Sequence, residues 1–349
     1  MAQNKVKLIV PDSLFGNRAD HIVSMLLKDI SRSRVKQWIE KGFVLINDKP
    51  ITPRQKLFTD EKIVVFIQQD DRELQFEPEN LELDIIFSDD DIAVLNKPSG
   101  LVVHPADGNW TGTLLNRILY HFPENKSLPR AGIVHRLDKD TSGLLVIALN
   151  ESSQLKLIKQ LQEKKVYREY RAIVWGNLSL PGSINEPIGR HPKNRVKMSV
   201  NKINGKTAVT NYEPIENFHY HTYVKCILET GRTHQIRVHM QHIGKPIVGD
   251  PTYGFKKILP FKNLPRNLID IITNFPRQAL HAKKLGLSHP RTNKEMSWEV
   301  KLPDDFSHLL GHIREIEIED TDIDMNKMPT LNQDLYGDEA LEDFEQDDN

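Results

Sequence analysis

The apolar, strand-like runs of this chain are separated by long and unequal intervals, and that spacing limits the available folds more than any other feature. Runs of strand-forming residues fall at Leu144–Leu149, Tyr170–Trp175, Tyr223–Leu228, Lys284–Leu287 and Ser297–Val300. An earlier pair, Ile85-Ile86-Phe87 and Ile92-Ala93-Val94-Leu95, brackets the turn Ser88–Asp91 and reads as a hairpin. Helical spacing is found at Leu114–Tyr120, Ser152–Glu163 and around Ile236–His242. Strands and helices therefore do not alternate. That argues against a doubly wound fold and predicts an α+β domain on a mixed, mainly antiparallel sheet, expected to span residues 85–314.

A smaller unit, expected at residues 12–75, precedes it. Apolar residues at Ile22, Met25 and Leu26 predict one helix, and Val35, Trp38 and Ile39 mark the buried face of a second, capped by Ser31 and ended by Gly42. Strands follow at Val44–Ile46 and Ile63–Ile67. The second helix also carries Arg32, Arg34 and Lys36, with Arg32 and Lys36 four apart on one face. The order Arg18-x-Asp20, Ser31-Arg32-Ser33-Arg34, Ile39-x-x-Gly42-x-Val44-x-Ile46-Asn47 resembles the S4 RNA-binding domain. That resemblance implies a grip on structured RNA. The charged stretch 76–84 has no apolar period and is expected to be a linker.

Charge is distributed just as unevenly. The chain has 47 Lys and Arg against 48 Asp and Glu, yet fourteen of those acids and only one base, Lys327, lie from Glu315 to Asn349. The body is left with 46 bases and 34 acids. A basic body with an acidic tail points to a polyanionic partner, either nucleic acid or a charged membrane surface. The tail, 315–349, is expected to be disordered. No apolar run approaches the ~20 residues that span a bilayer, and the start MAQNKVKLIVPD lacks the apolar stretch of a secretory signal. A single cysteine, Cys226, excludes an intrachain disulfide and a thiolate zinc cluster, and is expected to be a packed thiol. A cytoplasmic protein with no membrane partner is expected.

The densest polar cluster is the turn His135-Arg136-Leu137-Asp138-Lys139-Asp140-Thr141-Ser142-Gly143 between two apolar runs. It is not the kinase His-Arg-Asp, and the chain has no complete Walker loop, Gly-x-Ser-x-Gly elbow, His-Glu-x-x-His or Gly-x-Gly-x-x-Gly. What remains is a carboxylate with a cation two residues before it. An Asp beside an Arg stays ionised, which suits a nucleophile or base. The same polar residues would equally serve a hydrogen-bonded turn, and the loop alone does not decide between the two. His234, His239 and His242 are spaced by five and three without Cys or acidic partners, so no metal is expected. Trp38 reads as core, and Gly100, Gly143 and Gly231 read as turn residues.

The turn His135-Arg136-Leu137-Asp138-x-x-Thr141-Ser142-Gly143 is similar to the defining motif of the RluA-type pseudouridine synthases. Further blocks match in order: Asn96-Lys97-Pro98-x-Gly100-Leu101, Arg168-Glu169-Tyr170-x-Ala172, Gly231-Arg232-Thr233-His234-Gln235-Ile236-Arg237-Val238-His239, Gly249-Asp250-x-x-Tyr253-Gly254 and Arg277-Gln278-Ala279-Leu280-His281-Ala282. The resemblance implies an RNA isomerase in which Asp138 is the essential carboxylate, attacking the target uridine at sugar or base. It implies that Tyr170 lies against the base and takes part in proton transfer, that Arg237 pairs with Asp138, and that Arg136 fills the gap left by the flipped uridine. His104, Arg232 and His234 are implied substrate contacts, with Arg18, Arg32, Arg34 and Lys36 in the smaller unit. The reaction is redox-neutral, so no cofactor is expected. The implied partner is 23S rRNA or a precursor of the large ribosomal subunit, bound by a monomer. Other rRNA sites, tRNA, or a non-catalytic ribosome-assembly role are the alternatives.

Overall fold

β-Branched runs and two amphipathic helices build the first of two units into which the computed structural model divides, Met1–Leu74 and Gln75–Asn349. The structure describes residues 5–27, 32–66, 77–106, 108–194, 197–255 and 264–319. In the first unit β1 (Lys5–Ile9), β2 (Val44–Ile46), β3 (Lys49–Pro50) and β4 (Lys62–Phe66) form an antiparallel sheet in the order β1-β4-β2-β3. Asn47 and Asp48, both at positive φ, make the tight turn between β2 and β3. α1 (Ala19–Leu26) and α2 (Arg32–Glu40) bury Ile22, Val23, Val35, Trp38 and Ile39 against Val44, Ile46, Ile63 and Val65. Trp38 is core, as expected. β1 precedes the expected boundary at 12 because Lys5-Val6-Lys7-Leu8-Ile9 pairs residue by residue with β4. The expected cap Ser31 lies outside the described residues.

The second unit is organised by one nine-stranded sheet. Its strands are β5 (Ile85–Ser88), β6 (Ile92–Lys97), β7 (Ser142–Ala148), β8 (Tyr167–Trp175), β9 (Gly182–Asn185), β12 (Val209–Asn217), β13 (His221–Leu228), β14 (Leu280–Ser288) and β15 (Glu295–Glu299); β10 (Ile188–Arg190) and β11 (Met198–Val200) form a separate ribbon. The order is β5-β6-β7-β14-β8-β13-β12-β9, with β15 also on β14. Every pairing is antiparallel except the short β7–β14 contact, His281 with Ser142 and Ala282 with Gly143. Gly143 is required there by close approach rather than by a turn: at φ 111° a Cβ would lie 2.1 Å from the Ala282 carbonyl oxygen. Beyond the bulge at Ala282/Lys284, β15 becomes the neighbour of β14.

Helices cover both faces where the sheet is most apolar. All seven residues of β7 are buried. Leu145 and Ile147 pack on α3 (Leu114–His121), whereas Leu144, Val146 and Ala148 share a core with Leu157 of α4 (Glu151–Gln162). Thr113 and Asn116 close a capping box on α3, and Asn150 caps α4. β8 and β13 pack against α5 (Gln235–His242), α6 (Arg266–Asn274) and α7 (Asp304–Glu319). Cys226 is buried in this core, and burial pushes its thiol up to about 12, so it is a packing residue.

Two expected boundaries shift. The segment expected as a linker is tied to α3 from Glu77 onward: Asn116 Nδ2 donates to the Glu77 carbonyl, Gly112 N to Glu79 Oε1, and Arg117 Nη1 to the Glu82 carbonyl. Two backbone carbonyls and one carboxylate do the docking, and a charged sequence gives no sign of it. The expected tail begins later than 315, since α7 continues to Glu319. Residues 320–349 lie outside the described residues.

Candidate active site

The loop His135–Thr141 leads into β7, Tyr170 sits on β8, and β14 lies between those two strands. Gly143, just past the loop, and Tyr170 both pair with Ala282 of β14, so at about 4.8 Å per strand their backbones stand about 10 Å apart. The loop after β13 then turns into α5 and brings Arg237 across the gap. His234, left-handed at φ 56°, is the residue that starts this helix. Together these elements enclose a cavity of about 490 Å³ lined by Asp138, Tyr170, Arg237, Arg168, His104 and His234, among others.

Arg237 is the electrostatic centre. Its Nε and Nη2 donate to the two oxygens of Asp250 at 2.7 and 2.9 Å, and its Nη1 donates to Asp138 Oδ2 at 3.1 Å. Asp250 is fully buried and also accepts the backbone N–H groups of Thr252 and Tyr253. Burial acts to lower the pKa of Arg237, but Asp250 and then Asp138 outweigh it and hold the guanidinium charged. The Tyr253 ring lies 5.0 Å from the Arg237 guanidinium carbon, and the Tyr253 hydroxyl bonds His234 Nδ1 at 2.8 Å. A cation fixed by one carboxylate thus presents its remaining N–H to a second carboxylate at the cavity surface.

Tyr170 is buried beside that pair. Burial, with the added repulsion of Asp138, pushes its phenol up to about 12. His104 lines the cavity, and burial with Arg130 and Arg136 nearby brings it down to about 4, so it is neutral at pH 7. His135 is a packing histidine whose Nε2 accepts the Val146 N–H at 3.0 Å. Arg136 and Arg232 are exposed at the cavity, with Arg232 Nε anchored on the Thr207 carbonyl. His239, considered with the possible metal ligands, uses both ring nitrogens on Thr210 Oγ1 and the Glu186 carbonyl.

Of the site residues expected in the first unit, Arg18, Arg32 and Lys36 are engaged by neighbouring acids. Asp20, 3% exposed, accepts from Arg18 Nη2 at 2.8 Å and Arg32 Nη2 at 3.0 Å. Lys36 pairs with Glu40 at 3.7 Å. The side chain of Arg34 lies outside the described residues.

Three cations were not singled out from the sequence. Lys97, 1% exposed, donates its Nζ to the carbonyls of Pro98, Leu101 and Lys139, and burial brings its pKa to about 7 against the pull of Asp140 and Asp138. Arg277 forms a fork on Asp305 at the start of α7 and donates Nη1 to the Asp140 carbonyl at 3.2 Å. Arg168 is the third. Each stands in a motif block, which was the available signal, but a buried cation bonded to carbonyls looks like any other basic residue in sequence.

The chain belongs to the RNA pseudouridine synthase family, RNA-modifying isomerases whose members convert uridine to pseudouridine. The RNA pseudouridylate synthase family model matches residues 91–242, and the S4 domain model matches residues 18–61. The chain is 48% identical over 312 residues to ribosomal large subunit pseudouridine synthase D of Neisseria meningitidis serogroup A, covering 89% of this chain and 83% of that one. It is 46% identical to the protein of the same name from Pasteurella multocida, over 93% of this chain and 100% of that one. Among solved structures, human RNA pseudouridylate synthase domain containing 4 shares the fold, with TM-score 0.52 at 24% identity over 66% of this chain and 93% of that chain.

Proposed function

We propose that this synthase isomerises uridines of 23S rRNA, in the large ribosomal subunit or its precursor, with Asp138 as the essential carboxylate, and that it does so as a cytoplasmic monomer. The substrate follows the relatives that carry the name ribosomal large subunit pseudouridine synthase D at 46–48% identity. The observation that carries the chemistry is the Arg237 guanidinium shared between buried Asp250 and cavity-facing Asp138.

The reaction breaks C1′–N1 and forms C1′–C5, C5 gives up its proton and N1 gains one, so no electrons are exchanged. A carboxylate held in place by the Arg237 guanidinium suits attack at C1′ of the sugar or at C6 of the base. Tyr170, with its phenol at about 12, is a weak base at neutral pH and better suited to donate a hydrogen bond and to stack on uracil. The exposure of Arg136 at the cavity supports the reading that it fills the gap in the RNA stack. Among the described residues no helix is long and apolar enough to cross a membrane.

The test is a pseudouridine map of cellular RNA from cells with the protein, without it, and with Asp138→Asn. Loss from a cluster of uridines in one hairpin loop of 23S rRNA is expected in both deficient strains, with RNA affinity of the purified variant unchanged. Turnover by Asp138→Asn, or loss confined to tRNA, would refute the assignment.

A further inference from the structure

Arg168 has no role in the chemistry described so far, and its surroundings are unusual for a buried cation. Its side chain leaves β8 on the same face as that of Tyr170, two residues on, and both line the cavity. Arg168 is 6% exposed. The other buried arginines of this unit are neutralised, Arg237 by Asp250 and Asp138 and Arg277 by Asp305. Arg168 has no carboxylate partner among the described residues. Nη2 donates to the carbonyls of Leu228 at 3.5 Å and Glu229 at 3.2 Å, and Nε is buried without an acceptor. Burial pulls its pKa down accordingly.

Burying an unpaired charge is unfavourable, so a folded chain that keeps one has a use for it when the site is filled. Gly231 keeps the space clear. A Cβ there would come within 2.7 Å of Arg168 Nη1, and Gly231 has no left-handed backbone that would otherwise call for glycine. Gly231 lies in the connection between β13 and α5, and its lack of a side chain leaves room there for the Arg168 guanidinium.

We propose that Arg168 is a catalytic residue that donates its unused N–H groups to a carbonyl oxygen of the flipped uracil and stabilises the negative charge the ring acquires in the reaction. The inference rests on the function proposed above. If the sugar is attacked, the C1′–N1 electron pair leaves with the base and spreads over N1, O2 and O4. If C6 is attacked, the same oxygen O4 becomes an enolate. In the first route the ring pair attacks C1′ through C5 as the C1′–O bond to Asp138 breaks and returns its pair to the carboxylate; in the second, C1′–N1 breaks with its pair left on N1, the enolate forms C5–C1′, and the C6–O bond to Asp138 breaks as C5 gives up its proton. In both, C5 loses one proton and N1 gains one, Asp138 ends as the carboxylate it began as, and Arg168 keeps its own proton throughout. Depth favours the base over a phosphate. Arg130, Arg136 and Arg232 are the exposed cations at the cavity, whereas Arg168 lies buried on the same strand face as Tyr170.

The test uses the full chain, in vitro transcribed 23S rRNA, and the variants Arg168→Met and Arg168→Lys. Wild-type enzyme that made no pseudouridine on this RNA would count against the proposed substrate, and would be seen before any variant was compared. With Arg168→Met, the single-turnover rate at saturating RNA should fall about 100-fold, as for removal of one donor from an anion-stabilising site. RNA affinity should hold, and Tm should stay level or rise because an unpaired buried cation has been replaced by an apolar chain. Arg168→Lys should recover part of the rate. Weaker binding with an unchanged saturated rate would make Arg168 a phosphate contact, and a lowered Tm would make it structural. Either result overturns the proposal.

Discussion

Replacing Arg237 by Met separates two jobs that one side chain performs. The substitution removes two charge-assisted bonds to Asp250 and one to Asp138. Asp250, whose side chain is 0% exposed, would keep only the N–H groups of Thr252 and Tyr253. Breaking a buried pair from one side costs about 3–5 kcal/mol. For a unit of this size that corresponds to a fall in Tm of roughly 10 °C. Adding Asp250→Asn removes the orphaned charge while a carbonyl oxygen still accepts both backbone N–H groups, so Arg237→Met/Asp250→Asn should regain most of the lost Tm. Turnover should not return, because Asp138 still lacks its cation, and the single-turnover rate should remain down by about 100-fold or more. Thermal melting by circular dichroism and single-turnover assays on rRNA measure the two effects. Recovery of turnover in the double variant would show that Arg237 serves only to hold Asp250, and a wild-type Tm in the single variant would refute the energetic argument.

Two further outcomes follow from titratable groups. Asp20 is held below the usual carboxylate range although burial opposes it, because Arg32 and Arg18 bond it; its contribution is present above the unfolded pKa of about 3.9 and is lost as pH falls through the folded value. Asp20→Asn should remove that part of the acid-induced loss of stability in the first unit, and an unchanged acid limb would count against the pairing. Tyr170, raised by burial to about 12, keeps its proton when the unfolded phenol titrates near 10, so stability should decline from about pH 10 to 12. Chemical denaturation across that range should show a smaller decline in Tyr170→Phe than in wild type, the remainder coming from other groups raised by burial, Cys226 and Tyr167 among them, and equal declines would refute the contribution of Tyr170.

The sequence was legible where burial follows periodicity. The expected strand at Tyr223–Leu228 is the core of β13, and the expected helices at Leu114–Tyr120 and Ser152–Glu163 match α3 and α4 within one residue at each end. β12 was missed because Val209–Asn217 carries polar residues and Pro214, which the structure accommodates at a bulge next to β13. The β7–β14 contact was beyond reach because it joins residues 139 apart through two pairs, with Gly143 fitted to the Ala282 carbonyl. In the candidate site, the pairing of Arg237 with Asp138 was legible only through family resemblance. Nothing local in the sequence connects two residues 99 apart, and nothing marked Asp250 as the group that fixes Arg237.

The three ties on the loop 138–140 also bear on when a newly made chain becomes active. Lys97 holds the Lys139 carbonyl, Arg237 holds Asp138, and Arg277, itself clamped by Asp305, holds the Asp140 carbonyl. Chains are synthesised from the N-terminus, and early segments fold first. The first unit and the loop would emerge long before residues 237, 277 and 305 exist to fasten it. A nascent chain could therefore hold RNA while its carboxylate was still unanchored, and modification would begin only once translation had passed the start of α7.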